Sequence, residues 1–242
     1  MRIAKTEMIA ARVAVGALAL VSLLSMGVSA RAQEEVRPYP KMLPLSEYLM
    51  DRDAAIALAR SAAPEGIAKD ASVLVLTPKG WETAVKGANG FVCMTGPAWT
   101  ASIDFYDVWS PKQRGAVCLN PAAVRSILPI FNKLTEMTLA GMTGVNERIA
   151  GIQEAYAKKE IPPAEPGAMS FMMSKQGYLG DGAGGHWHPH MMFFVAHTDS
   201  AAWGADQDGS PVISAQDDHE PVTTFFVLVP KWSDGTPATG VH

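Results

Sequence analysis

The sequence has only two cysteines, no block of basic residues and a single long uncharged apolar run. Each scarcity excludes something. Two cysteines without C-x-x-C spacing argue against a thioredoxin-like redox motif and against a cysteine-built zinc site. Without a Lys/Arg cluster there is no electrostatic footprint for nucleic acid or for an anionic membrane. No H-E-x-x-H, H-x-x-E-H or G-x-S-x-G motif occurs, so the zinc-protease and lipase signatures are missing. No Gly-Lys-Ser/Thr follows a glycine run, so there is no P-loop.

The one long apolar run lies at the N-terminus. Arg2, Lys5 and Arg12 precede and flank VAVGALALVSLLSMGV at 13–28, and Ala30-Arg31-Ala32 places small residues at both recognition positions of a cleavage site. This is the layout of a secretory signal peptide over residues 1–32. The run is shorter than the ~20 apolar residues a spanning helix needs. No twin arginine and no nearby cysteine are present, so general export to the periplasm or beyond is expected rather than a lipid anchor. Removing the leader leaves 16 of the 20 basic and 23 of the 24 acidic residues, a net charge of −7. A mature chain of this kind is expected to have no nucleic-acid partner and no membrane partner.

Cys93 in GFVCMTG and Cys118 in GAVCLNP sit in similar settings, each a short apolar strand bounded by turn residues. In an oxidising compartment the pair is expected to form a disulfide. The alternative is two buried thiols.

From residue 33 the chain reads as one α+β domain, with a mostly antiparallel sheet and helices packed on one side. Residues 46–63 read as a helix capped by Ser46 and ended by Pro64 and Gly66. Residues 71–94 read as a strand meander broken at Pro-Lys-Gly and Ala-Asn-Gly. Asn120-Pro121 is a capping side chain followed by proline at the first helical position. That helix is expected to run to about Leu139 and to bend or break at Pro129. Residues 145–159 read as a second amphipathic helix. AMSFMMS, HMMFFVA and TTFFVLVP read as strands. Trp99, Phe105, Tyr106 and Trp109 lie in a loop-like segment and are expected to serve as core or pocket wall.

GDGAGG at 180–185 matches G-x-G-x-x-G, but an apolar strand follows it where a dinucleotide fold needs a helix. It reads as a loop whose glycines take positive φ. DQDGS at 206–210 is not a calcium loop, because the first and last ligand positions would be Gly204 and Ala215.

His186, His188 and His190 alternate in GHWHPH. In an extended chain alternate side chains share a face, with Cα atoms about 6.5–7 Å apart. Pro189 biases His188 toward the extended region and marks an edge strand or the beginning of a strand. Zinc on three nitrogens with an open position is the expected occupant, and copper the second, given Met169, Met172, Met173, Met191 and Met192 nearby. His219 is the preferred further ligand, because His197 falls on the opposite face of an unbroken strand. The other reading of the histidines is a polar strand end.

Gly180, His186 and His188 resemble the start of the first cupin metal motif, but Met192 or Phe193 stands where cupins have glutamate. GAMSFMMSKQGYLGD, GHWHPHMMFF and VPKWSDGTP resemble segments of an uncharacterised exported bacterial protein family, from about Asn89 to the C-terminus. That resemblance implies export and a shared single domain. It brings no activity.

Two functions follow as expectations. One is an exported metalloprotein, a hydrolase or oxidoreductase acting through a metal-activated water or a redox copper. The other is a non-catalytic envelope module that binds a small ligand or a protein partner, with the 99–109 loop and the glycine loop forming its pocket.

Overall fold

A computed structural model describes residues 38–238 other than 104, 106, 181–184, 186, 217 and 218. The expected leader, 1–32, lies outside the described residues. Eight strands form one sheet: β1 Ser72–Thr77, β2 Gly80–Val85, β3 Val92–Gly96, β4 Gly115–Leu119, β5 Met169–Met172, β6 His190–Ala196, β7 Val212–Gln216 and β8 Val222–Leu228. Their order is β2-β1-β3-β4-β5-β6-β8-β7. Every pairing is antiparallel except β1 with β3. With five helices among the described residues, this is an α+β domain. Among the described residues, no helix is long and apolar enough to cross a membrane.

The β1–β2 hairpin matches the sequence reading, but β3 does not continue a meander. It pairs on the far side of β1. The connection 86–91 passes beneath the start of β1, where the N–H groups of Ala88 and Asn89 donate to the Asp70 carbonyl. A Cβ at Gly87 would fall 2.2 Å from the Ser72 nitrogen, so no side chain fits at this crossing.

Helix α1, Arg52–Arg60, starts six residues after the expected cap. Asp51 caps it, accepting from the N–H groups of Asp53 and Ala54 at 3.0 Å each. Residues 45–47 form a separate 3₁₀ turn. The reason lies in Tyr48, whose buried hydroxyl accepts from the Leu43 N–H and donates to the Trp109 carbonyl. That anchorage holds the chain away from a continuous helix. Helix α2, Glu65–Ala68, follows Pro64.

Helix α3, Pro121–Ser126, begins as expected, with Asn120 accepting from the Ala123 N–H at 2.9 Å. The helical run breaks at Ile127, and α4, Leu128–Leu139, restarts with Pro129 in its first turn. Helix α5 spans Val145–Ala157.

The helices lie on both faces of the sheet, not on one. Val73, Cys93, Ala116 and Cys118 face Ala59 of α1, Ala62 and Ala63 in the turn after it, and Ala68 of α2. The alternate residues Met94, Val117 and Leu119 face Ala123, Ile130, Leu134, Met137 and Ile152 from α3, α4 and α5. Strand β4 is therefore buried along its whole length, which is why GAVCL is apolar without alternation.

Strand β7 closes one edge. Its outward groups are covered by Asp206, whose N–H donates to the Val212 carbonyl and whose carboxylate accepts from the Ser214 N–H. An edge satisfied this way offers less template for another strand.

Candidate functional site

Helix α4 packs on β2 and on the 3₁₀ turn Ala98–Thr100. It therefore sits over one half of the sheet. Between it and β6–β8 the two layers part, leaving a cavity of about 340 Å³. That volume is at the small end of the ~300–1,000 Å³ of small-molecule sites.

Its floor is Val117, Met172, Met192, Phe194, Val222 and Phe226 from the sheet. Its roof is Ile127, Ile130, Phe131 and Leu134. Thr100, Ala101, Ser102 and Phe105 make a third wall, and Trp187 a fourth. Gly96 and Gly115, paired across β3 and β4, add no side chains at their end. His190 and Phe194 both line the floor. The four residue steps from His190 to Phe194 span about 13 Å, so the cavity is a trough along β6.

The third wall is held from behind. Trp99 is fully buried, and its carbonyl accepts from Arg148 Nη2 at 2.9 Å. The Arg148 guanidinium lies 5.3 Å from the Trp109 ring centroid. Burial lowers its pKa to about 10, partly opposed by the negative charge of Glu220. Trp99 and Trp109 are thus core, as expected of the aromatic segment, whereas Phe105 is pocket wall. Tyr106 lies outside the described residues.

His190 is the first residue of β6 and is 1 % exposed. Its Nδ1 lies 2.7 Å from the His188 carbonyl oxygen. A carbonyl can only accept, so the ring proton sits on Nδ1 and Nε2 carries a lone pair. Nε2 is buried and has no hydrogen-bond partner among the described residues. Trp187 and Phe226 flank the imidazole, with centroids 5.7 and 5.5 Å away. Burial lowers the His190 pKa, the bond to the His188 carbonyl opposes this, and the charge of His188 adds to it.

As pH falls through the ordinary value of 6.5, an unfolded chain's imidazole takes up a proton that folded His190 still refuses. The unfolded state binds more protons, so stability declines as pH drops through that value and levels off only at the lower folded value. Urea unfolding from about pH 7.5 to about pH 5.5 should show a shallower decline in His190→Gln than in the wild-type chain. Equal declines would show that His190 is not the group responsible.

Of the four expected metal ligands, His186 lies outside the described residues. His188 is half-buried, two residues before the first residue of β6. His219 stands in the connection between β7 and β8 and does not line the trough, though its neighbour Glu220 does. His197 pairs with Gln216. Among the described residues, no group of three or more His, Cys, Asp or Glu side chains is placed to hold an ion. Pro189 is buried, and its carbonyl accepts from the Val229 N–H. It precedes a central strand rather than sitting on an edge, so its missing N–H costs the ladder nothing.

Comparison with known proteins gives no match: no family model, curated protein or solved structure aligns with this chain. The functional reading rests on the trough.

Backbone hydrogen bonds tie Gly185 to Gly180 and Leu179. Gly185 takes φ +89°, its N–H donates to the Gly180 carbonyl, and its own carbonyl accepts from the Leu179 N–H. A Cβ there would lie 2.8 Å from the Tyr178 ring. The next element is β6, not a helix, which agrees with rejecting a dinucleotide motif. Gln113, Glu220 and the α4 roof were not anticipated. Apolar residues on a helix face look the same in sequence whether they touch a neighbour or a void.

Proposed function

We propose that this chain is a non-catalytic binding protein for a small, mostly apolar molecule, held in the trough between β6–β8 and α4. The observation that carries this is an apolar cavity lined by His190, whose Nε2 is a buried acceptor with no partner among the described residues. Burying such an atom without a partner is costly, and a ligand donor would relieve it. The signal-like N-terminus and the disulfide support export, so the ligand would be met outside the cytoplasm.

The test is a fluorescence titration with the neutral apolar probe N-phenyl-1-naphthylamine, on wild type and on Ile130→Trp, which fills the roof. Saturable binding that Ile130→Trp abolishes, with cooperative melting retained, is the expected result. No saturable binding to a folded wild-type chain sinks the proposal.

A zinc or copper ion on His186, His188, His190 and His219 is the second reading. One observation favours it: a histidine fixed through Nδ1 to a carbonyl presents Nε2 in the manner of a metal ligand. Elemental analysis of untagged protein decides. Stoichiometric metal, lost in His188→Ala, supports the ion, and metal-free folded protein removes it.

A further inference from the structure

We infer that the trough selects a neutral molecule carrying a hydroxyl or N–H donor on an apolar body, and rejects the matching carboxylate. This rests on the trough being the ligand site, and it goes further by naming the ligand class.

Three observations carry it. The first is the tautomer. The His188 carbonyl 2.7 Å from Nδ1 leaves Nε2 as an acceptor with no proton of its own. A ligand that reaches Nε2 must bring the hydrogen. The second is a further acceptor on a residue that lines the trough. Gln113 is 6 % exposed, and its Oε1 is buried without a partner among the described residues.

The third is charge. Among the described residues, no Lys or Arg lines the trough, and the charged side chain that does is Glu220. A carboxylate entering there would lose its hydration and meet no lining cation among the described residues, since Arg148 lies behind the third wall and already interacts with Glu220. Burying an unpaired anion is far more costly than burying a neutral hydroxyl. Length points the same way. A trough of about 13 Å takes an elongated body with its donor at the His190 end.

The experiment uses the mature, EDTA-dialysed chain near neutral pH and four probes of one shape: 4-hexylphenol, 4-hexylaniline, hexylbenzene and 4-hexylbenzoate. Each competes with N-phenyl-1-naphthylamine. In wild type the phenol and the aniline should bind about tenfold more tightly than hexylbenzene, the worth of one net hydrogen bond. The benzoate should bind more weakly than hexylbenzene. His190→Phe should bring the phenol down to hexylbenzene, and His190→Gln, which keeps an acceptor, should retain much of the difference.

Equal binding of phenol and hexylbenzene to wild type, or a benzoate that matches the phenol, overturns the inference while leaving the trough a binding site. If not even hexylbenzene competes, the binding site itself is refuted and the inference falls with it. Because the wild-type series decides alone, a His190→Phe chain that fails to fold does not shield the idea.

Discussion

Replacing Thr135 with valine is expected to destabilise the domain by about 2–4 kcal/mol, although the two side chains have nearly the same shape. Thr135 lies on α4, 1 % exposed. Its hydroxyl oxygen accepts from two indoles, Trp81 Nε1 at 3.1 Å and Trp99 Nε1 at 3.2 Å. An indole N–H can only donate. Trp99 is fully buried, so its orphaned N–H bears the desolvation cost of about 1–3 kcal/mol. Trp81 is only partly buried and recovers some of its loss from water. Thr135→Ser keeps the acceptor and should cost less. Urea unfolding of the three chains measures this. A valine variant within about 0.5 kcal/mol of wild type, the range of ordinary surface changes, would show that the two bonds contribute nothing net. The effect should also reach the trough. Trp99 adjoins Thr100 and Ala101 in its third wall, so a loosened indole should weaken probe binding even where the chain stays folded.

The elements legible in the sequence are those with local causes. Asn120 and Pro121 carry the start of α3 in their own chemistry, and Pro129 carries the break before α4. The strands at 190–196 and 222–228 follow from runs of Phe, Val and Thr. The misreadings have non-local causes. Ser46 could cap a helix as well as Asp51 does. What decides between them is the Tyr48 hydroxyl bound to Trp109, 61 residues away. The parallel pairing of β1 with β3 depends on a backbone crossing at Gly87 that no propensity describes. Helices on both faces were legible in part, since GAVCL lacks the alternation of a half-covered strand. Strand β7 went unread because VISAQ is short and largely exposed.

The site divides in the same way. His190 stood out through its period-two neighbours, and it lines the trough with a buried Nε2 that has no partner among the described residues. Its tautomer and its surroundings come from a carbonyl two residues back and from burial, neither of which spacing reveals. The trough itself is missing volume. It exists because α4 leans toward β2, and Ile130 and Leu134 would read identically over a filled core. Thr100, Ala101, Ser102 and Phe105 lie in the segment whose aromatics are expected to serve as core or pocket wall, because Trp99 and Phe105 had to be buried somewhere.

Joining Cys93 to Cys118 should contribute about 3 kcal/mol, so Cys93→Ala/Cys118→Ala should lose about that much. The two residues face each other across β3 and β4, and both sulfurs are in the fully buried layer beneath α1. The bond closes a loop with a sequence separation of 25, and that loop carries Thr100, Phe105 and Gln113. Cutting it frees, in the unfolded chain, the segment that must order to wall the trough. Denaturation midpoints of wild type with and without reductant, beside those of the double variant, measure the effect. Reduced wild type and the variant should fall together. Thiol labelling of denatured, unreduced protein should find none, and two labelled thiols would defeat the pairing. Burial adds a kinetic expectation. A reductant cannot reach either sulfur through the native surface, so reduction should wait on opening of the α1 face and accelerate with mild denaturant. Rapid reduction of the fully native chain would mean that α1 does not cover the bond as tightly as Ala59, Ala62 and Ala63 suggest.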